Sequence, residues 1–146
     1  MKRMALFSIP VLILSLFSAS IALAQVQARV RVIQASNEGS SIDPSLRDVH
    51  DQLGSLFSFT SYRLLKDETL SLSLNRSVEI PVHKGRAIEL SLTGQRRDTA
   101  EIRVKIKGEG ADMLNTQVRL SPGRTVLIGG PKHGQGVAII ALSARF

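Results

Sequence analysis

Apolar and polar residues alternate with period two along most of this chain, which predicts a sheet protein. Val26, Ala28, Val30 and Val32 alternate with Gln27, Arg29 and Arg31, as in a strand with one buried and one wet face. The same period returns at Tyr62-Arg63-Leu64-Leu65 and persists. Leu70, Leu72 and Leu74 alternate with Ser71 and Ser73. Val78, Ile80 and Val82 alternate with Glu79 and Pro81. Ile88, Leu90 and Leu92 alternate with Glu89 and Ser91, and Ile102, Val104 and Ile106 with Arg103 and Lys105. Val118 and Leu120 flank Arg119. Thr125–Ile128 and Val137–Leu142 are nearly continuous apolar runs, as expected of strands buried on both faces.

One segment breaks the period. Leu46, Val49, Leu53, Leu56 and Phe57 fall on one helical face, with Arg47, Asp48, Asp51 and Gln52 pointing away. Asp43 is the predicted N-cap and Pro44 the first helical residue. The spacing predicts an amphipathic helix over 44–57. Gly54 weakens it by about 1 kcal/mol relative to alanine, and marks close packing or an early end.

Turn residues punctuate the rest. Lys84-Gly85, Gly108-Glu109-Gly110 and Ser121-Pro122-Gly123 separate strands, the last with the residues of a type II turn. The carboxylates Asp67-Glu68 fall at another predicted turn. Pro81 within its strand predicts a sheet edge. Strands recurring every 8 to 12 residues predict a sandwich or partly open barrel. The fold class is therefore α+β, mostly antiparallel β, with one amphipathic helix in a single domain over 25–146.

The N-terminus changes the setting. Lys2 and Arg3 precede an apolar run from Ala5 to Phe17, and Ser18–Ala24 ends in Ala-x-Ala. This is the layout of a signal peptide over 1–24, cleaved after Ala24. The run is short for a bilayer span of about 20 apolar residues, so no transmembrane span is expected after cleavage. The chain has no cysteine, so an exported domain must be held by its core alone. That combination fits a Gram-negative envelope, periplasmic or secreted.

The formal charge of +7 is uneven. Residues 25–75 hold five Arg/Lys against six Asp/Glu, whereas residues 76–146 hold twelve against six. An anionic surface is thus a candidate partner for the second half. Arg96-Arg97, with Arg103, Lys105 and Lys107 on the following strand, could form a basic patch. No exposed aromatics interleave with it, which argues against nucleic acid. A solvated strand face explains the same residues.

No catalytic constellation emerges. His50, His83 and His133 lack metal-ligand spacing and are expected on surfaces or loops. No serine sits in a Gly-x-Ser-x-Gly elbow. The glycine-rich stretch Gly129–Gly136 lacks the spacing of a phosphate loop and precedes a strand rather than a helix. It reads as a flexible hairpin tip where Lys132 and His133 could meet an anion or a partner. The expected binding residues are Arg96, Arg97, Lys132 and His133, with no metal or cofactor.

Two short resemblances add context. Asn115–Gly130, through Gly123-Arg124-Thr125 and Ile128-Gly129-Gly130, resembles a stretch of secretins, the outer-membrane channels of type II and III secretion and type IV pili. The resemblance implies a tight hairpin and an envelope accessory role. It covers 16 residues and departs at Pro131. The ending Ala138, Ile140, Leu142, Ala144, Phe146 resembles that of outer-membrane barrels, though aromatic girdles are lacking. The reading that follows is a non-enzymatic envelope protein, a binding or assembly module acting through sheet edges and loops. A basic membrane-surface protein and a small secreted hydrolase are the alternatives.

Overall fold

The computed structural model describes residues 25–82, 85–108 and 111–146. Residues 1–24, on which the expected signal peptide falls, and His83, Lys84, Glu109 and Gly110 lie outside the described residues. The described residues form eight strands: β1 Val26–Ser36, β2 Ser61–Leu72, β3 Ser77–Val82, β4 Arg86–Gln95, β5 Ala100–Gly108, β6 Ala111–Leu120, β7 Thr125–His133 and β8 Gly136–Arg145. They form two four-stranded antiparallel sheets, ordered β2-β1-β8-β7 and β3-β4-β5-β6. No barrel closes: β8 lies inside the first sheet, between β1 and β7.

The alternation explains the core. Val26, Ala28, Val30 and Val32 of β1 and Ala138, Ile140, Leu142 and Ala144 of β8 meet Ile88, Leu90, Leu92, Ile102, Val104 and Ile106 of the second sheet. The domain is a sandwich with one shared core. The barrel-like ending is the central strand of that core.

The outer face of the first sheet has its own apolar half. Ile33 and Ala35 of β1, Tyr62 of β2 and Ile139 and Ala141 of β8 pack against Leu46, Val49 and Leu53. Those three come from a 3-10 segment, Pro44–Val49, followed by α1, His50–Leu56. This accounts for burial on both faces of β8, from Ala138 to Leu142. β7 is an edge strand, so Thr125–Leu127 are only half-buried.

The expected helix is present as one continuous stretch, Pro44–Leu56, whose first half is 3-10 and whose second half is α. Asp43 caps it as expected, its Oδ1 accepting from the Ser45 N–H at 3.0 Å. Asp43 Oδ2 also accepts from the Leu64 N–H of β2, so one carboxylate ties the helix start to the sheet. Leu56 departs from the predicted face and is 60% exposed, because the chain turns to extended backbone at Phe57. A Cβ at Gly54 would meet nothing within 4 Å, so close packing does not explain this glycine. Tyr62 closes the helix end, its hydroxyl donating to the carbonyls of Phe57 at 3.3 Å and Leu53 at 3.4 Å. Asp43→Ala should lower the melting temperature by about 3–6 °C, read by circular dichroism. An unchanged melting curve would mean that the cap does not anchor the helix.

Three strand expectations need correction. Asp67 and Glu68 do not form a turn. They lie within β2, which runs unbroken because residues 61–72 contain no glycine or proline. A bulge opposite Val32/Ile33, with Leu65 as the extra residue, interrupts the alternation there. Arg31 is not on a wet face but 2% exposed, at the seam where the helix begins to cover the sheet. Residues 115–130 do not form a hairpin, because β6 and β7 belong to different sheets. The intervening turn carries the chain across the sandwich. Its type II character holds: Arg124 N–H donates to the Ser121 carbonyl, with Gly123 at φ +77°.

Candidate functional site

The two basic pairs expected to bind sit at opposite ends of the sandwich. Arg96 and Arg97 occupy the β4–β5 loop, closed by the Arg96 N–H on the Thr99 carbonyl at 2.7 Å. Lys132 and His133 lie where β7 ends, beside the β3–β4 hairpin. No single surface collects all four residues.

Both arginines of the loop are exposed. The recess beside them, about 250 Å³, includes Arg119 and Glu101, whose carboxylate accepts from Arg119 at 3.1 Å. The adjoining outer face of the second sheet is similarly mixed. Register places Lys105 opposite Glu89 and Arg103 opposite Ser91. Lys107 donates to Glu89, which holds that carboxyl below its ordinary range and raises the lysine. The face is a solvated ladder of alternating charges.

The other end is built differently from expectation. β7 continues through His133, so the tip is only Gly134-Gln135. His133 is 6% exposed and not presented outward. Its carbonyl accepts from Gln34 Nε2 at 3.1 Å, and the Lys132 carbonyl accepts from Arg86 Nη1 at 2.6 Å. Lys132 itself is exposed. A groove of about 530 Å³ runs past His133 and Gly134 toward Lys66 and Pro81. The glycines here serve packing. A Cβ at Gly130 would lie 2.9 Å from the Ala138 carbonyl oxygen, at a bulge that also lets Pro131 sit in an edge strand.

A third surface has no counterpart among the residues expected to bind. The polar half of the first sheet's outer face, beyond the helix, forms an open groove of about 780 Å³. Arg31 reaches Asp48 through two hydrogen bonds of 2.8 Å, and Arg29 reaches Asp67 through bonds of 2.9 and 2.7 Å. Asp48 points away from the core, as expected, and from that exposed position supplies the counter-charge of the buried Arg31. The hydrogen bond from Arg31 holds the Asp48 carboxyl below its ordinary value, and Arg29 does the same for Asp67, against the opposing effect of desolvation. A signal existed in the sequence: Arg31 shares a face with Ile33 and Ala35, whose apolar character marks that face as covered.

The sheet edges differ in how they are protected. β3 is six residues long and carries Pro81, whose carbonyl accepts from Lys66 at 2.6 Å. β2 presents Lys66, Asp67 and Glu68 in succession beside its bulge. β7 carries Gly129-Gly130-Pro131 at another bulge. β6 is ten residues long, without proline, and has only Asp112 and Arg119 as charges. Leu114 and Val118 of β6 are half-buried at the open margin of the core, and Met113 is exposed.

Among the described residues, no group of three or more His, Asp or Glu could hold a metal ion. No helix among them is long and apolar enough to cross a membrane. Comparison with known proteins finds no matching family model, no similar curated protein and no similar solved structure.

Proposed function

We propose that this chain is a non-catalytic, exported binding or assembly module of a Gram-negative envelope, which receives a partner strand on the free edge of β6. One observation carries this reading: β6 is a ten-residue edge without proline or charge run, and among the described residues no strand pairs with its free side. In an antiparallel edge strand, every second residue points its N–H and C=O away from the sheet. An added strand would satisfy those groups, and side-chain positions along it would confer specificity. Native proteins usually blunt such edges, as β2, β3 and β7 are blunted here.

The groove chemistry supports the non-catalytic part. Asp48 and Asp67 are engaged by arginines and held in the ionised form. Neither is poised to donate a proton near neutral pH. The membrane-surface alternative draws less support, since Glu79, Glu89 and Glu101 interrupt the basic face of the second sheet. Export rests on the leader pattern of residues 1–24. Association with secretion or pilus machinery rests on the resemblance at 115–130.

The test is photo-crosslinking in the native host from a probe at Asn115 on β6, compared with one at Glu68 on β2. Adducts with envelope proteins from Asn115 and not from Glu68 are expected. Secretion or pilus subunits among them would tie the module to those machines. Equal adducts from both positions, or none from Asn115, would overturn the edge reading.

A further inference from the structure

We infer that the strand received by β6 is β6 of a second copy of this chain, paired antiparallel about a two-fold axis at Thr116. The inference rests on the reading of β6 as the binding edge and names its occupant.

The β6 side chains divide between two faces. Asp112, Asn115, Gln117 and Arg119 stand opposite Lys107, Lys105, Arg103 and Glu101, and so face outward. Leu114, Thr116 and Val118 stand opposite Ile106, Val104 and Ile102, and so face the core. Met113 is the extra residue of a bulge between these two sets. In a two-fold antiparallel pair, a residue on the axis meets its own copy and its neighbours meet reciprocally.

With the axis at Thr116, Asn115 meets Gln117 of the second copy, amide to amide. Leu114 meets Val118 of the second copy on the core side, where each is half-buried at the margin of its own sandwich. Beyond the bulge, Asp112 meets Arg119 of the second copy, and the pair recurs by symmetry at the other end. Opposite charges and matched apolar groups at directly opposed positions stabilise strand pairing. Neighbouring registers lose the match. An axis at Asn115 sets Asp112 against Gln117, and an axis at Gln117 leaves Asp112 beyond the end of the partner strand. Arg119 now pairs with Glu101 at an exposed position, a weak competitor.

Pairing would join two four-stranded sheets into one of eight and remove both open β6 edges. A single ten-residue edge buries less than a standard interface, so self-association is expected at roughly 10–100 μM.

The absence of cysteine makes the test direct. Thr116→Cys in the full chain places one thiol on the proposed axis, and Glu68→Cys places one on the β2 edge. Under mild oxidation, Thr116→Cys should form a disulfide-linked dimer about ten-fold faster or more, because pairing raises the local thiol concentration. Equilibrium sedimentation should show dimers that Asp112→Arg or Arg119→Asp weakens and the double exchange strengthens again. Crosslinking no faster at Thr116→Cys than at Glu68→Cys would overturn self-pairing. If self-pairing fails while the Asn115 probe still captures another envelope protein, the edge reading stands and only its occupant is wrong. If both fail, both readings fall.

Discussion

Gly136→Ala is expected to destabilise the domain by about 3 kcal/mol or more, lowering its melting temperature by about 10 °C or more. A Cβ at Gly136 would overlap the Ala35 carbonyl oxygen and lie 2.8 Å from its carbon and 3.1 Å from the Ser36 Cα. All three atoms are backbone, so no side chain can rotate away. β8 begins here against the end of β1, and these two strands carry both apolar layers of the first sheet. Relief requires the strands to separate at that end, which loosens the cover over Ile139 and Ala141. Gly54→Ala is the contrasting control. It sits in α1 with open space around its Cβ, and should stabilise by up to about 1 kcal/mol through helix propensity. Thermal unfolding of the two variants by far-ultraviolet circular dichroism checks both. A Gly136→Ala protein that melts with the parent would show that β8 does not enter the sheet at this close approach.

The same glycines show what a sequence displays and what it conceals. Gly129–Gly136 invited readings as an anion loop or a flexible tip, yet Gly130 and Gly136 are where one backbone passes close to another. For Gly136 that requirement is set by Ala35 and Ser36, far away in sequence, and for Gly130 by a bulge that appears only once β7 pairs with β8, so neither leaves a local pattern. Local requirements were legible. Pro81 marked an edge because it has no N–H to give a neighbour, and β3 is an edge. Asp43-Pro44 marked the helix start, and Pro122-Gly123 marked a type II turn. Period two marked the strand faces of the sandwich core. It failed where a bulge shifted the period, so that β2 looked like two strands with carboxylates at a turn.

Alternation also says which residues share a face without saying what covers it. Thus Arg31 was read as wet, and the resemblance at 115–130 implied a hairpin between strands that belong to different sheets. The placement of the four expected binding residues follows from the same strand order. Arg96-Arg97 sit in the β4–β5 loop and Lys132-His133 at the end of β7, and antiparallel order sends these to opposite ends. The β6 edge was similarly hidden. Only Val118 and Leu120 showed the strand period, because the core-facing position between Leu114 and Val118 is the polar Thr116 and the bulge at Met113 stops the alternation from extending further back. An edge becomes visible only once the strand order is known.

Asp48→Asn is expected to destabilise the domain by about 2–3 kcal/mol and to reduce the acid dependence of its stability. Arg31 is buried with its charge, and Asp48 meets it through both carboxylate oxygens. Asparagine retains one acceptor oxygen but no charge, so the guanidinium loses its counter-ion while desolvated. Breaking a fully buried pair costs about 3–5 kcal/mol. Asp48 is 55% exposed, and solvent screening on its side reduces the expected loss. Arg31 Nε has no hydrogen-bond partner among the described residues, so the guanidinium is already short of one bond. The pH dependence follows from the lowered carboxyl. With its folded pKa below the unfolded one, Asp48 contributes full stability above the ordinary carboxylate range, near pH 4. That contribution fades as pH falls through the folded value, because the unfolded chain takes up the proton first. Asp67 on Arg29 adds a contribution of the same sign. The parent should therefore lose stability steeply below about pH 4, and Asp48→Asn less steeply, so that the two converge in acid. Arg31→Met combined with Asp48→Leu should recover most of the loss, since an apolar pair needs no desolvated charge. Urea unfolding from pH 7 down to about 3 measures all three proteins. Parallel stability curves for parent and Asp48→Asn would show that Arg31 finds its counter-charge elsewhere and that the helix is held by Leu46, Val49 and Leu53 alone.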